Sequence, residues 1–244
     1  NRKLSSIKTK NEGCIMDIQN KNRKLLKKNH VYHENMEHDA CGVGLVASTE
    51  GLKSRKVVEY GIEALKAVWH RGAIDADGKT GDGAGIHIEI PNDFFAEKIE
   101  ITGHEHDNSD LCVGMIFLPR NDFGGQEQCR SIVESELTKK NFNIYGWRQV
   151  PVDPSVLGEK AEQTRPEITQ VLFTHNDKSI HGKDLERALY ETRRKIEKEA
   201  LRNQLNNFYI CSFSSKSIIY KGMFLAESLS DFYPDLKDER FISR

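Results

Sequence analysis

The sequence lacks several features that would place it in a special class of protein. It has no run of about 18 consecutive apolar residues, which excludes a transmembrane helix. Its formal net charge is only -1, so no strong overall field attracts it to nucleic acid or to an acidic membrane. It also lacks an internal repeat of the period found in solenoid proteins. These absences leave the class of ordinary globular proteins. With 244 residues, the chain is long enough for one large domain or two small ones.

Cysteine is scarce, and its spacing argues against a disulfide framework or a zinc site. The five cysteines are widely spaced, their number is odd, and none forms a CxxC pair. Cys112 and Cys211 lie within apolar stretches, which predicts that they are small core residues. Unpaired thiols are typical of a reducing compartment, so we expect a cytoplasmic protein.

Apolar periodicity beyond Asp39 predicts alternating strands and helices. Strands are predicted over 42–48, 83–91, 111–119, 143–151, 167–175, 207–213 and 217–223, and helices over 54–69, from Pro91, and over 125–140 and 183–201. This spacing allows a doubly wound parallel sheet or an α+β fold. The half-buried alternation of strand 83–91, and a hairpin predicted at residues 214–216, favour a mixed or antiparallel sheet instead.

Cys41 follows a polar and basic leader, residues 1–40, and heads a small, glycine-rich apolar stretch. The residues before it are loop-like, so the bond between Ala40 and Cys41 is open to cleavage. Gly42 and Gly44 leave room for a ligand beside the sulfur. A cysteine that becomes a new N-terminus needs such a setting, whereas a buried strand cysteine does not. From these residues alone, both interpretations stay open.

A second candidate for chemistry is the stretch TGDGAG, residues 80–85. A phosphate-binding loop is disfavoured, because no GK[ST] and no helix follow, and Asp82 would repel phosphate. A tight turn and a loop that faces a substrate remain as alternatives.

Several stretches in a fixed order carry a resemblance to a known family. They are HDACGVG, HRGAIDADGKTGDGAGI, YGWRQVP, GEKA, TRPEI and FYICSFSSKSIIYKGM. From about His38 to Arg244 the chain closely resembles the amino-terminal glutaminase domain of the glutamate synthase large subunit, a class II glutamine amidotransferase and N-terminal-nucleophile hydrolase. The resemblance implies an α+β fold, the four-layer αββα sandwich, in place of the doubly wound sheet. Another class II amidotransferase is the less favoured relative, because YGWRQVP and SIIYKGM point to glutamate synthase.

The resemblance also implies the domain organisation and the nucleophile. Residues 1–40 become a flexible leader that is removed, and residues 41–244 become the front part of the amidotransferase domain, truncated at its C-terminal end. Cys41 attacks the side-chain amide of glutamine, with its own freed α-amine as the base. The released ammonia is channelled to a distant synthase site that makes glutamate from 2-oxoglutarate.

Other roles are implied by matching positions in the family motifs. Arg71 and Gly72 match the Arg-Gly pair next to the nucleophile, and Asp82 and Gly83 match the loop that faces the glutamine pocket. His70, Tyr145, Trp147 and Arg148 are expected to give structural support, residues 220–223 to border the pocket without a catalytic role, and no metal is expected.

The resemblance places the cofactors outside this segment. The full-length family enzyme implies FMN, an iron–sulfur cluster and a reduced nicotinamide or ferredoxin donor. The implied partners are glutamine, downstream synthase domains of the same polypeptide and an electron-donating small subunit, with neither nucleic acid nor membrane.

The chain lacks one further family feature. No HNGE-like stretch, the family source of part of the oxyanion hole, occurs before Arg244. We therefore expect the isolated fragment to be incomplete and inactive. The alternative function is a non-catalytic interaction or scaffold module that keeps the fold but is never processed.

Overall fold

A computed structural model describes residue 24 and residues 42–68, 74–105 and 110–244. The chain divides into two units, Asn1–Ala40 and Cys41–Arg244, and every element named below belongs to the second unit. The leader predicted over residues 1–40 lies outside the described residues, apart from residue 24, and stays a prediction. No helix in the described ranges is both long and apolar enough to cross a membrane.

The described residues form strands and helices close to the predicted positions. The strands are β1 (Ala84–Glu89), β2 (Cys112–Leu118), β3 (Phe142–Gln149), β4 (Glu167–His175), β5 (Tyr209–Ser214) and β6 (Ser217–Gly222). The α-helices are α1 (Arg55–Ala67), α2 (Asn92–Ile101), α3 (Phe123–Lys139), α4 (Glu159–Thr164), α5 (Gly182–Arg202) and α6 (Leu229–Phe232). Short α4 lies between the strands predicted over 143–151 and 167–175, where the sequence analysis predicts no helix.

The strands form two sheets in which all the pairs are antiparallel. The larger sheet has the order β3-β4-β2-β5, and the smaller sheet pairs β1 with β6. The prediction of an α+β fold with antiparallel pairing is thus confirmed, and the doubly wound alternative is excluded.

Two clusters of buried side chains hold the layers together. In the first, α3 and α5 pack against the four-stranded sheet, for example Val133 and Leu189 with Phe173. In the second, residues from the same sheet join β6 and α1, for example Met115 with Tyr220 and Val58. Removing such apolar surface from water contributes about 1.5–3 kcal/mol per large side chain. The resulting order of helices, sheet, sheet and helix is the αββα arrangement.

A buried polar network links the larger sheet to β6. The guanidinium of Arg148 donates to both carboxylate oxygens of Asp235, at 2.8 and 2.7 Å, and to Oε1 of Gln170 at 2.8 Å. The hydroxyl of Tyr220 donates to Asp235 at 3.0 Å and accepts from Nε2 of Gln170 at 3.0 Å. Removing one partner of a buried ion pair costs about 3–5 kcal/mol. This network gives Arg148 of YGWRQVP the structural role predicted for it.

The predicted hairpin at residues 214–216 is wrong. β5 belongs to the four-stranded sheet, whereas β6 belongs to the two-stranded sheet. The carboxylate of Glu186 on α5 accepts hydrogen bonds from the Ser214 hydroxyl at 2.9 Å and the Ser215 amide at 2.8 Å. These bonds hold the turn while the chain crosses from one sheet to the other. Two apolar runs joined by a tight turn do not reveal which strand each will pair with.

The strand predicted over residues 42–48 is also wrong. This segment forms no ladder with the strands in the described part of the chain. Val43 and Leu45 are 88% and 92% exposed. An extended segment becomes a strand only when another strand satisfies its backbone groups, and apolar composition alone does not supply that partner.

Candidate functional site

A cleft of about 530 Å³ lies beside β1 and β6. Its lining includes Asp82 and Gly83 before β1, Lys221 and Gly222 at the end of β6, and Gly42, the residue after Cys41. The volume falls within the range of roughly 300–1,000 Å³ usual for small-molecule sites. The fold therefore brings the predicted pocket loop, the predicted pocket border and the neighbour of the predicted nucleophile to one cleft.

The other predicted site residues are not described by the structure. Cys41, His70, Arg71 and Gly72 lie outside the described residues, so their roles stay predictions. Ile74, the first described residue after residues 69–73, forms an isolated antiparallel bridge with Gly81.

The glycines of the TGDGAG stretch allow a close approach between the loop and β6. Gly83 has φ +124°, a conformation that other residues rarely adopt, and a Cβ there would lie 3.2 Å from the Gly222 carbonyl oxygen. A Cβ on Gly85 would lie only 2.6 Å from the Cβ of Lys221. The stretch leads into β1 rather than a helix, as the argument against a phosphate-binding loop requires. Its glycines keep the loop against β6, where Gly83 lines the cleft.

The described lining carries side chains of both charges. Asp82 supplies a carboxylate, and Lys221 supplies an ammonium group. Nζ of Lys221 donates to the Tyr209 hydroxyl at 2.7 Å and lies 4.5 Å from the centroid of the same ring. Tyr209 thereby fixes the position of the Lys221 ammonium group.

Sequence reasoning missed part of the lining. Leu65, His87 and Phe117 also line the cleft, and none of them was proposed as a site residue. Phe117 comes from β2 of the larger sheet and packs against Tyr209 with 5.7 Å between ring centroids. No local pattern marks it, since its place depends on how the two sheets meet. One feature of the sequence could have indicated that His87 lines a site, because it is a polar residue in a strand predicted to be half-buried.

The cysteines in the described part of the chain are unsuited to nucleophilic chemistry. Cys112, Cys129 and Cys211 are buried and free, which confirms the core positions predicted for Cys112 and Cys211. Burial raises the pKa of Cys129 and of Cys211 to about 11, and it raises the pKa of Cys112 further. A thiol acts as a nucleophile only as its thiolate, which is rare at neutral pH for such groups.

Comparison with known proteins agrees with this geometry. The sequence profile described as "Glutamine amidotransferases class-II" matches residues 41–244, so the match begins at Cys41. The glutamate synthase [NADPH] large chain of Azospirillum brasilense is 56% identical over 214 residues, which make up 88% of this chain and 14% of that protein. Ferredoxin-dependent glutamate synthase 2 of Synechocystis sp. is 38% identical over 208 residues, 85% of this chain and 13% of that protein.

A third relative has the same relation to the chain. Ferredoxin-dependent glutamate synthase 2, chloroplastic, of Arabidopsis thaliana is 38% identical over 209 residues, 85% of this chain and 13% of its own length. The chain thus spans only 13–14% of the length of these curated relatives. Because the family profile covers residues 41–244, most of the sequence, the chain belongs to the class II glutamine amidotransferases.

Proposed function

We propose that this chain is the glutaminase part of a glutamate synthase and that Cys41 is its nucleophile. One observation carries the proposal: the family match begins at Cys41, and the next residue, Gly42, lines the cleft together with Asp82 and Gly83. The described cysteines are buried with raised pKa values, which supports the assignment of the reaction to Cys41.

The proposed reaction begins with cleavage of the bond between Ala40 and Cys41. While Ala40 acylates the Cys41 nitrogen, that nitrogen is an amide and accepts no proton. The freed α-amine has an ordinary pKa of about 7.7–8.0 and takes the proton of the thiol at neutral pH. The thiolate then attacks the amide carbon of the glutamine side chain, and an oxyanion forms on the amide oxygen.

The intermediate decomposes in two steps. The α-ammonium returns its proton to the amide nitrogen, and the carbon–nitrogen bond breaks. Ammonia leaves, and a γ-glutamyl thioester remains on Cys41. Water then attacks the thioester, the carbon–sulfur bond breaks, and glutamate and the free thiol are produced. The net change is glutamine and water to glutamate and ammonia.

Residues around the cleft have supporting roles in this proposal. Asp82 and Lys221 bind and orient the charged end of glutamine, while Phe117 on the cleft wall excludes water. Arg71 and Gly72 support the new N-terminus.

We extend the proposal to the whole polypeptide. Ammonia passes to downstream synthase domains of the same chain, which aminate 2-oxoglutarate with electrons from a reduced nicotinamide or from ferredoxin, and a small subunit delivers those electrons. FMN and an iron–sulfur cluster serve that later chemistry. Among the described residues there is no group of three or more His, Cys, Asp or Glu side chains that could hold a metal ion. A reducing compartment such as the cytoplasm suits the unpaired thiols.

A reactive glutamine analogue tests the assignment of the nucleophile. In an analogue with a diazoketone in place of the amide, the diazo carbon takes up the proton that the thiol has lost, and the thiolate then displaces dinitrogen to form a stable thioether. In the full-length protein we expect the label on Cys41, protection by excess glutamine, and no label on buried Cys112 or Cys211. Labelling at another residue, or labelling that glutamine does not suppress, would contradict the assignment. A protein that neither reacts with the analogue nor hydrolyses glutamine would support the scaffold alternative.

A further inference from the structure

The loop that carries Asp82 and Gly83 emerges from a small hairpin, residues 74–81. Its base is the bridge between Ile74 and Gly81. Two backbone hydrogen bonds close it: Asp75 N–H donates to the Thr80 carbonyl at 2.9 Å, and Gly78 N–H donates to the Asp75 carbonyl at 2.9 Å. The position of this hairpin therefore sets where the loop before β1 enters the cleft.

Asp77 is an exposed residue whose carboxylate joins the turn of this hairpin to Thr80. Its Oδ1 accepts the backbone N–H groups of Lys79 at 2.9 Å and Thr80 at 2.7 Å, and its Oδ2 accepts the Thr80 hydroxyl at 2.5 Å. The hydrogen bond from the Thr80 side chain is the main reason that the pKa of Asp77 is lowered to about 2, with further help from backbone N–H groups that include that of Glu159. Asp77 is ionised at neutral pH, and its carboxylate lies beside Gly158 at the start of α4.

Gly158, the residue before α4, packs so closely against this carboxylate that a larger side chain would not fit. A Cβ on Gly158 would lie 2.2 Å from Oδ2 of Asp77, 2.2 Å from the Thr80 hydroxyl oxygen and 2.7 Å from the Thr80 nitrogen. Real Cβ atoms do not come so close, so only glycine allows this approach. Nζ of Lys160, the second residue of α4, forms an ion pair with Oδ2 of Asp75 at 2.5 Å. The GEKA motif thus contacts the hairpin through its glycine and its lysine.

The helix end that holds the hairpin is itself fixed in the core. Leu157 and Ala161, on either side of Gly158, belong to the buried cluster that includes Phe232 and Ile168. Thr80 is only 3% exposed. A continuous set of contacts therefore runs from the core through α4 and Asp77 to Thr80, which stands two positions before Asp82.

We propose that Asp77, Thr80 and Gly158 are positioning residues that set the placement of the Asp82–Gly83 loop and thereby the affinity of the cleft for glutamine. This inference rests on the proposed glutaminase function, because it names that substrate. The three residues do not line the cleft, so they act through the loop and not by contact with the substrate. A misplaced loop weakens the binding of the substrate and of the transition state alike, which raises KM and leaves kcat unchanged.

A matched pair of glycine variants tests the proposal. Gly158→Ala pushes on Asp77 and Thr80, whereas Gly125→Ala pushes on another capping carboxylate: a Cβ on Gly125 would lie 2.4 Å from Oδ2 of Asp122. Asp122 caps the N-terminus of α3, which packs on the outer side of the four-stranded sheet. In the full-length protein we expect Gly158→Ala to raise the KM for glutamine by about 10- to 100-fold, the effect of losing a hydrogen bond to a charged group of the substrate. Its kcat should stay within about threefold of the unmodified enzyme, and Gly125→Ala should leave KM unchanged.

A second pair covers the case in which Gly158→Ala fails to fold. Thr80→Val removes the hydroxyl that donates to Asp77 with little change in volume, and Thr80→Ser keeps it. We expect a raised KM for Thr80→Val and a normal KM for Thr80→Ser. The proposal would be overturned if the two members of each pair had the same KM for glutamine. It would also be overturned if Gly158→Ala and Thr80→Val lowered only kcat.

Hydrogen exchange separates this inference from the proposed function. In Gly158→Ala, amides of residues 81–85 should exchange faster, while Gly125→Ala should leave them unchanged. If the unmodified full-length protein hydrolyses no glutamine, the proposed function fails, and the stated substrate fails with it. If it hydrolyses glutamine but neither KM nor exchange responds to Gly158→Ala, only the positioning inference fails.

Discussion

Replacing Cys41 with alanine is expected to lower glutamine hydrolysis by the full-length protein at least about 10⁴-fold, as removal of a catalytic nucleophile does in other hydrolases. Without the sulfur no thioester forms, and the described cysteines are too deeply buried to take its place. The measurement is the rate of glutamate release from glutamine. If ammonia is the only product that the synthase site needs, added ammonium should restore glutamate formation in this variant.

Cys129→Ala is the matched control for this experiment. It also removes a thiol, but one that is buried among residues of α3 and the four-stranded sheet. It should keep glutamine hydrolysis close to that of the unmodified enzyme. Retained glutamine hydrolysis in Cys41→Ala would refute the assignment, and loss of the ammonium-dependent reaction as well would show damage beyond the glutaminase site.

A single extra residue before Cys41 is expected to have the next largest effect. Two forms of the full-length protein are compared, one with Cys41 as its first residue and one with Ala40 still attached. In the second form the Cys41 nitrogen is an amide and accepts no proton. We expect its kcat/KM for glutamine to be about 10²–10⁴-fold lower, the usual contribution of a general base.

The pH profile supplies the control for that comparison. An amine base works only when unprotonated, so kcat/KM of the processed form should rise with pH up to its pKa, ordinarily about 7.7–8.0, and level off above it. The Ala40 form should lack this step. Equal activity of the two forms, with Ala40 still present by mass, would rule out the α-amine as the base.

Local sequence patterns predicted most elements but not how the strands pair. The predicted strand at residues 167–175 coincides with β4, because a stretch rich in β-branched and aromatic residues ends at the turn residues Asn176 and Asp177. The two errors concern the strands with which a segment pairs. Residues 42–48 have the composition of a strand but pair with none of the strands that the structure describes, and β5 and β6 belong to different sheets. Register and partner choice depend on residues distant in sequence, which no local window contains.

The candidate site shows the same division. Asp82 and Gly83 were found because their motif is a continuous stretch, and they do line the cleft. Phe117 reaches the cleft only through the packing of β2 near β6, and Gly158 matters only because α4 meets Asp77. Both roles depend on contacts between segments far apart in the chain, and neither residue stands out from its neighbours in the sequence.

The N-terminal residue of the active, full-length enzyme tests the central claim most directly. Intact mass and N-terminal sequencing should be carried out on a sample whose glutamine hydrolysis has been measured. We predict that the active chain begins at Cys41 with a free α-amine. An active chain that still carries residues before Cys41 would contradict the proposed mechanism, because the nitrogen of Cys41 would then be an amide.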